Sequence, residues 1–381
     1  MATPHVLCFQ QRLTHYRETF FQQAKDALAA KGIAFDLVYG QPDAAAQIRK
    51  DSGHLPWAHA VQEKTFQLGK FTGVWVPTPA KVARPDLVIV TQENKLLANY
   101  AWLLRRAFGG PKVAYWGHGA NFQSDAPAGV RERWKQILLT KVDWWFAYTQ
   151  MTVDILSKAG YPQQQVTNLN NAIDNESFKT DLASVTDAEL DALRSQLCLQ
   201  PAAPLGLFCG SLYADKRIDF MVQAADQIRA AVPNFSMVVI GDGPSAADVR
   251  LAAQTRPWLH WVGVKKGRDK AAYFKLASLV VNPGAVGLHV LDSFVSGVPM
   301  ATMADARHGP EVAYLAHGVN GLNVLGGCPE YSRAVIELLS DAAYFERVRQ
   351  ASAVSAEKFT LKNMVENFVN GIERCLSTPK Q

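Results

Sequence analysis

Cysteine is sparse and forms no pattern: Cys8, Cys198, Cys209, Cys328 and Cys375 are five in 381 residues, widely spread and without a CxxC pair. An odd, scattered set excludes a disulfide framework and a His/Cys zinc site, and each cysteine reads as small buried filler in a reducing compartment. Long apolar runs are missing as well, so no segment reads as a membrane span. Met1 to Pro4 has no basic stretch and Val6-Leu-Cys8 is too short for a leader, which points to a cytoplasmic protein. No Asp-x-Asp stands at a strand end to hold a divalent cation on a diphosphate. No Walker loop or G-x-S-x-G elbow occurs either, and neither a metal nor a cofactor is expected. A dense Lys/Arg tract interleaved with aromatics is also absent, so nucleic acid is not the expected partner.

What is present is ordinary core material and an uneven charge. Hydrophobic residues make up 48% and charged residues 19%, and 381 residues are comfortable for two domains. Of 39 Lys and Arg and 34 Asp and Glu, residues 1–172 hold 19 and 12, which leaves 20 and 22 for the rest. The basic excess lies wholly in the N-terminal half. It suits an anionic partner such as a phospholipid surface, a lipid pyrophosphate or a phosphorylated donor.

Short apolar runs alternate with helical spacing along both halves. His5–Phe9, Ala34–Tyr39, Leu87–Val90, Val113–Trp116 and Trp144–Ala147 read as strands, with helices over Arg17–Ala30, Leu96–Ala107 and Val130–Leu139 between them. Residues 51–81, with His54, Trp57 and Trp75, fit this scheme poorly and read as an insertion. A second series runs through Leu205–Cys209, Phe235–Ile240, Trp258–Val262, Leu279–Val281, Val298–Thr302 and Gly321–Val324. The polar joint Asn168–Phe178 separates the two series. The expectation is α/β: two doubly wound domains, 1–172 and 173–355, then a helical tail, 356–381, free to fold back on the first.

In open parallel sheets ligands bind beyond the carboxyl ends of the strands. Gly210-Ser211 follows a strand there, and Lys216 and Arg217 follow it; small residues and two cations fit a pyrophosphate, and equally a solvated helix start. Gly284 to Gly287 form a loop between Leu279–Val281 and a helix over Leu288–Ser296, a turn that favours an anion. Asp292, one turn in, can accept from sugar or ribose hydroxyls. Gly241-Asp-Gly-Pro244 supports a dinucleotide fingerprint only weakly. In the first half, His118 sits between glycines in Tyr115-Trp-Gly-His-Gly-Ala-Asn121. It faces a substrate or is bonded at the sheet edge. Arg12, His15, Tyr16 and Arg17 follow the first strand, and with Asn121 they are the candidates for the acceptor side. Trp102-Leu-Leu-Arg-Arg-Ala-Phe108 fits a helix lying on an anionic bilayer with Arg105 and Arg106 on headgroups, or a core helix with solvated arginines.

The order of these motifs resembles the retaining glycosyltransferase family 4, and the start resembles its bacterial surface-polysaccharide members. Gly210-Ser-Leu-Tyr-Ala-Asp-Lys216, Gly241-Asp-Gly-Pro244, Trp261-Val-Gly263, Gly287-Leu-His-Val-Leu-Asp292, Gly297-Val-Pro299 and Asn320-Gly321 follow the family's sequence of turns. The resemblance implies the GT-B fold, two Rossmann-like domains facing each other across a donor-binding cleft. It also implies metal-independent transfer of a sugar from a UDP- or GDP-sugar to a glycan or lipid-linked acceptor, with retained anomeric configuration. Such a role belongs to polysaccharide or glycoconjugate assembly, with a peripheral contact at the inner membrane. On it, Lys216 binds the donor diphosphate, Ser211 replaces the family's Arg, and Arg217 supplies the missing cation. Backbone groups of Gly287, Leu288 and His289 cap the phosphate, and Asp292 is the second carboxylate of a Glu-x7-Glu motif. The base lies against Val262, Gly263 and Val264, and His118 lies near the donor sugar. Two positions depart from the family: Gly284 stands where the first carboxylate falls, and Gln10-Gln11 replaces a Gly-Gly loop. A nucleotide-sugar 2-epimerase or a weakly active sugar-nucleotide-binding subunit are the alternatives.

Overall fold

In a computed structural model describing residues 3–41, 52–69, 71–82, 84–119 and 138–380, the chain forms two α/β units. One comprises residues 1–174 with 361–381, the other residues 175–360.

The first unit contains β1 (His5–Gln10), α1 (Glu18–Ala30), β2 (Ala34–Gln41), β3 (His59–Gln62), a hairpin of β4 (Lys64–Leu68) and β5 (Phe71–Trp75), β6 (Leu87–Thr91), α2 (Leu97–Ala107), β7 (Lys112–Gly117), β8 (Trp144–Ala147), α3 (Gln150–Lys158) and β9 (Val166–Asn168). Seven strands form a parallel sheet in the order β3-β2-β1-β6-β7-β8-β9, and the hairpin stands apart as a two-stranded antiparallel sheet. Residues 51–81 are therefore only partly an insertion, because β3 extends the main sheet beside β2. The expected Val130–Leu139 helix lies largely outside the described residues.

The second unit contains α4 (Glu176–Ser184), α5 (Asp187–Gln196), β10 (Leu205–Cys209), α6 (Ile218–Ala231), β11 (Ser236–Ile240), α7 (Ala246–Gln254), β12 (Leu259–Trp261), α8 (Gly267–Leu276), β13 (Leu279–Val281), α9 (Val290–Ser296), β14 (Met300–Met303), β15 (Gly321–Val324), α10 (Cys328–Ser340) and α11 (Ala342–Lys358). Its six strands run β12-β11-β10-β13-β14-β15, all parallel. This is the dinucleotide-fold order 3-2-1-4-5-6, and the first unit repeats it with one strand more. The strands are nearly continuous apolar runs because helices cover both faces. Met221, Ala224, Ala225 and Ile228 of α6 and Tyr331, Val335 and Leu338 of α10 close one such core.

The chain returns to the first unit as α12 (Leu361–Ser377). Leu361, Met364, Val365, Phe368, Val369, Ile372 and Cys375 recur at helical spacing and are all buried. Phe368 nests among Phe20, Phe35, Trp116 and Phe146 with ring centroids 5.0–6.2 Å apart. Cys8, Cys328 and Cys375 are buried as core filler, but Cys198 is exposed. Among the described residues no helix is long and apolar enough to cross a membrane.

Candidate active site

In the second unit the winding reverses between β10 and β13, which are neighbours in the sheet. Loops leaving these strands turn in opposite directions and open a crevice at their carboxyl ends. The loop after β10 carries Gly210 and exposed Ser211, then a tight turn over Ala214–Lys216. Gly210 donates to Ile240 O and Gly241 to Gly263 O, at 3.0 and 2.9 Å. The ends of β10, β11 and β12 are thus stitched side by side. A Cβ on Gly241 would lie 1.9 Å from Gly210 O, so only glycine permits that approach. Gly210, Gly241, Val262, Gly263 and exposed Val264 consequently form one row along the carboxyl edge.

The loop after β13 is fastened to the Lys216 turn. Ala285 N donates to Asp215 O at 2.8 Å, and Lys216 Nζ donates to Ala285 O. Gly284 is pressed against that turn: a Cβ there would meet Asp215 O at 2.3 Å and Lys216 Cα at 2.5 Å. A carboxylate at position 284 is excluded by backbone, which accounts for the departure seen in the sequence. His308 supports the same loop from behind. Its Nδ1 accepts from Val286 N at 3.1 Å and its Nε2 donates to Met303 O at 2.7 Å. This histidine escaped the sequence reading, because nothing in Arg307-His-Gly309 marks it.

Lys216 is 6% exposed and has a backbone carbonyl rather than a carboxylate as hydrogen-bond partner. Burial pushes its ammonium down to about 8. Asp292, in the first turn of α9, is paired with Lys270 instead. Its side chain is 13% exposed and sits 3.1 Å from Lys270 Nζ, so burial raises its pKa while Lys270 opposes the rise. Lys270 lies over the Phe178 ring at 4.2 Å. Enclosure and then Asp292 push the half-buried Cys209 thiol up to about 12 while both lysines oppose the rise. Burial first, then Lys216, His308 and Lys270, hold the His289 ring well below its ordinary value, its Nε2 enclosed without a partner. Two cations therefore converge on the end of β10. Lys270 was missed because Lys265-Lys-Gly-Arg-Asp-Lys270 reads as a solvated basic run. Arg217 pairs with Asp305, whose Oδ1 meets its guanidinium at 2.9 Å. Gly287, Leu288 and His289 precede the helix rather than begin it, since α9 starts at Val290.

In the first unit the carboxyl ends of β1, β6 and β7 stand side by side. His118 follows β7, is exposed, and stacks on Tyr148 with centroids 4.3 Å apart and planes 18° from parallel. Its carbonyl accepts from Thr152 Oγ1 at 3.3 Å. Gln92, just after β6, is 7% exposed with neither amide atom hydrogen-bonded, and sequence reasoning passed over it. Arg12, His15 and Tyr16 are exposed after β1. Arg17 is a correction, for it turns inward and is buried. Its guanidinium donates to Asn171 Oδ1 at 2.5 Å and Ala172 O at 3.2 Å, holding the joint rather than facing an acceptor. Asn121 lies outside the described residues. Among the described residues no three His, Cys, Asp or Glu side chains form a group that could hold a metal ion.

Residues 203–341 match the family described as glycosyl transferases group 1. The chain is 24% identical over 292 residues to the alpha-D-kanosaminyltransferase of Streptomyces kanamyceticus, covering 69% of this chain and 70% of that protein. A glycosyltransferase from Rickettsia africae superposes with a TM-score of 0.68 at 10% identity over 100% of both chains. HepE of Anabaena in complex with UDP does so with a TM-score of 0.64 at 14% identity, over 97% of this chain and 99% of that one. The fold is GT-B.

Proposed function

We propose that the chain is a group 1 glycosyltransferase, the family its residues 203–341 match, and that it transfers a sugar from a nucleoside-diphosphate donor, a UDP- or GDP-sugar, to a glycan or lipid-linked acceptor with retention of configuration. One observation carries this reading: the buried Lys216, with no carboxylate among the described residues hydrogen-bonded to it, set against the loop at the switch point of a dinucleotide fold. A diphosphate placed there gains Lys216 and Lys270 as cations and the backbone of Gly287, Leu288 and His289 as a cap. Asp292 takes the ribose hydroxyls, leaving Lys270 to the phosphate. The base rests on Val262 to Val264, the carboxyl end of the next strand but one. That HepE of Anabaena was crystallised with UDP and with UDP-glucose supports a donor of this class.

In the reaction, the bond from the anomeric carbon to the diphosphate oxygen breaks as the acceptor oxygen attacks from the same face. The departing diphosphate takes the acceptor's proton, so no carboxylate base is needed, and Lys216 and Lys270 stabilise the charge that develops on it. His118 holds a hydroxyl of the donor sugar. No metal enters this scheme. The protein acts in the cytoplasm in polysaccharide or glycoconjugate assembly, with a peripheral contact at the inner membrane.

The test is a panel of UDP- and GDP-sugars followed for release of the nucleoside diphosphate, with the anomeric configuration of any product read by NMR. Release from one or two donors with a retained product is expected. An isomerised nucleotide sugar, an inverted product, or no release from any donor with any glycan acceptor would each overturn the proposal.

A further inference from the structure

At the amino-terminal ends of β6 and β7, away from His118, an open groove of about 870 Å³ runs between the end of α2, residues 84–86 and 109–112, and the chain after α12. Two large apolar side chains on it are uncovered: Phe108 is 83% exposed and Leu104 62%. Arg84, Arg105 and Lys380 are exposed around them. Arg105 lies over the Trp102 ring at 4.7 Å, which fixes its guanidinium at the rim. Among the described residues Asp86 is the one carboxylate lining the groove, and its Oδ2 accepts from His5 N at 2.8 Å. Lys112 is committed to the carbonyls of Cys375, Leu376 and Thr378, and Lys380 to that of Gly110. These contacts tie the chain end down and, among the described residues of the groove, leave Arg84 and Arg105 as the cations without a hydrogen bond or ion pair.

We propose that this groove is a docking face for an anionic phospholipid bilayer. Phe108 and Leu104 enter the acyl boundary, and Arg84 and Arg105 sit on lipid phosphates. Charge decides the occupant: among the described residues lining the groove, Arg84, Arg105, Lys112 and Lys380 outnumber Asp86, and this cationic excess around exposed apolar side chains complements a negative surface. The contact differs from what the sequence alone indicates for this helix. Trp102 is buried, and Arg106 turns away to Asp143, so neither takes part. The six residues of β7 put His118 about 20 Å from the groove, and docking leaves that end of the sheet open. The inference gives a place to the membrane contact of the proposed function. Its test reads binding rather than turnover, so either reading can fail without the other.

Sedimentation of the full chain with phosphatidylglycerol/phosphatidylcholine vesicles, and with phosphatidylcholine alone, tests it at low and at high salt. Binding to the anionic vesicles at low salt, weakened by high salt and absent on neutral ones, is expected. Arg84→Ala with Arg105→Ala should reduce partitioning roughly 25-fold, from about fivefold per cation. Phe108→Ser with Leu104→Ser should reduce it at least tenfold. All four side chains are exposed, so the melting temperature serves as the control for folding. Absence of binding by the wild type, equal binding to neutral vesicles, or unchanged partitioning by both variants in folded form would each overturn the proposal; capture of a protein partner at this face without vesicle binding would overturn it too.

Discussion

Lys216 shows how far a residue's role can be read in sequence and where the reading stops. A lysine after a Gly-Ser turn is visible, but not that it is buried and lowered to about 8 from an ordinary 10.5. A lowered lysine disfavours its own charge, so between those values the folded protein binds fewer protons than the unfolded chain and gains stability as pH rises. An anion reverses this by holding the proton on. Nucleoside-diphosphate affinity should therefore stay flat below about pH 8 and fall above it, and a titration series of Lys216→Met should lack that fall. Lys270 makes a separate prediction. In Lys270→Met, affinity should drop about tenfold or more, the loss of one charge-assisted contact of about 1.5–3 kcal/mol. Unchanged affinity would leave Lys270 as nothing more than the partner of Asp292. His118→Ala should lower kcat well beyond any change in donor affinity, since its contact matters most as the sugar is transferred.

At the scale of elements, the long apolar strands and the helices around them were legible because burial on both faces writes a continuous apolar run. β3 was not, since an edge strand of alternating exposure, His59–Gln62, carries too little apolar signal. Whether the α2 arginines are solvated was equally illegible. Arg106 makes two bonds to buried Asp143, at 2.7 and 2.8 Å, and Asp143 lies 37 residues away in the chain. Removing one partner strands a buried charge, so Arg106→Ala should cost about 3–5 kcal/mol by chemical denaturation. The loop after β13 gives the matching case in the second unit. Gly284→Ala forces a methyl against Asp215 O and Lys216 Cα, which should cost about 1–3 kcal/mol and weaken the donor by displacing the Lys216 turn.

At the scale of the whole molecule, the doubling of one fold was readable from two series of strands separated by a polar joint. The return of α12 to the first unit was readable only as one option, because its apolar face could have covered any core. That pairing comes from long-range contacts such as Phe368 with Phe20 and Phe146. The residues proposed to hold the diphosphate, ribose and base all belong to 175–360. That segment expressed alone should fold and bind the nucleotide, whereas a chain ending at 360 should lose the cooperative melting of the first unit. The central claim, a diphosphate held at the β10–β13 switch point by Lys216, is tested most directly by calorimetric titration. UDP and GDP would be titrated into the full chain and into Lys216→Met at pH 7 in the presence of EDTA. The account predicts one-to-one binding of at least one nucleotide to the wild type and at least tenfold weaker binding to the variant; equal affinity for the two proteins, or binding that EDTA abolishes, would contradict it.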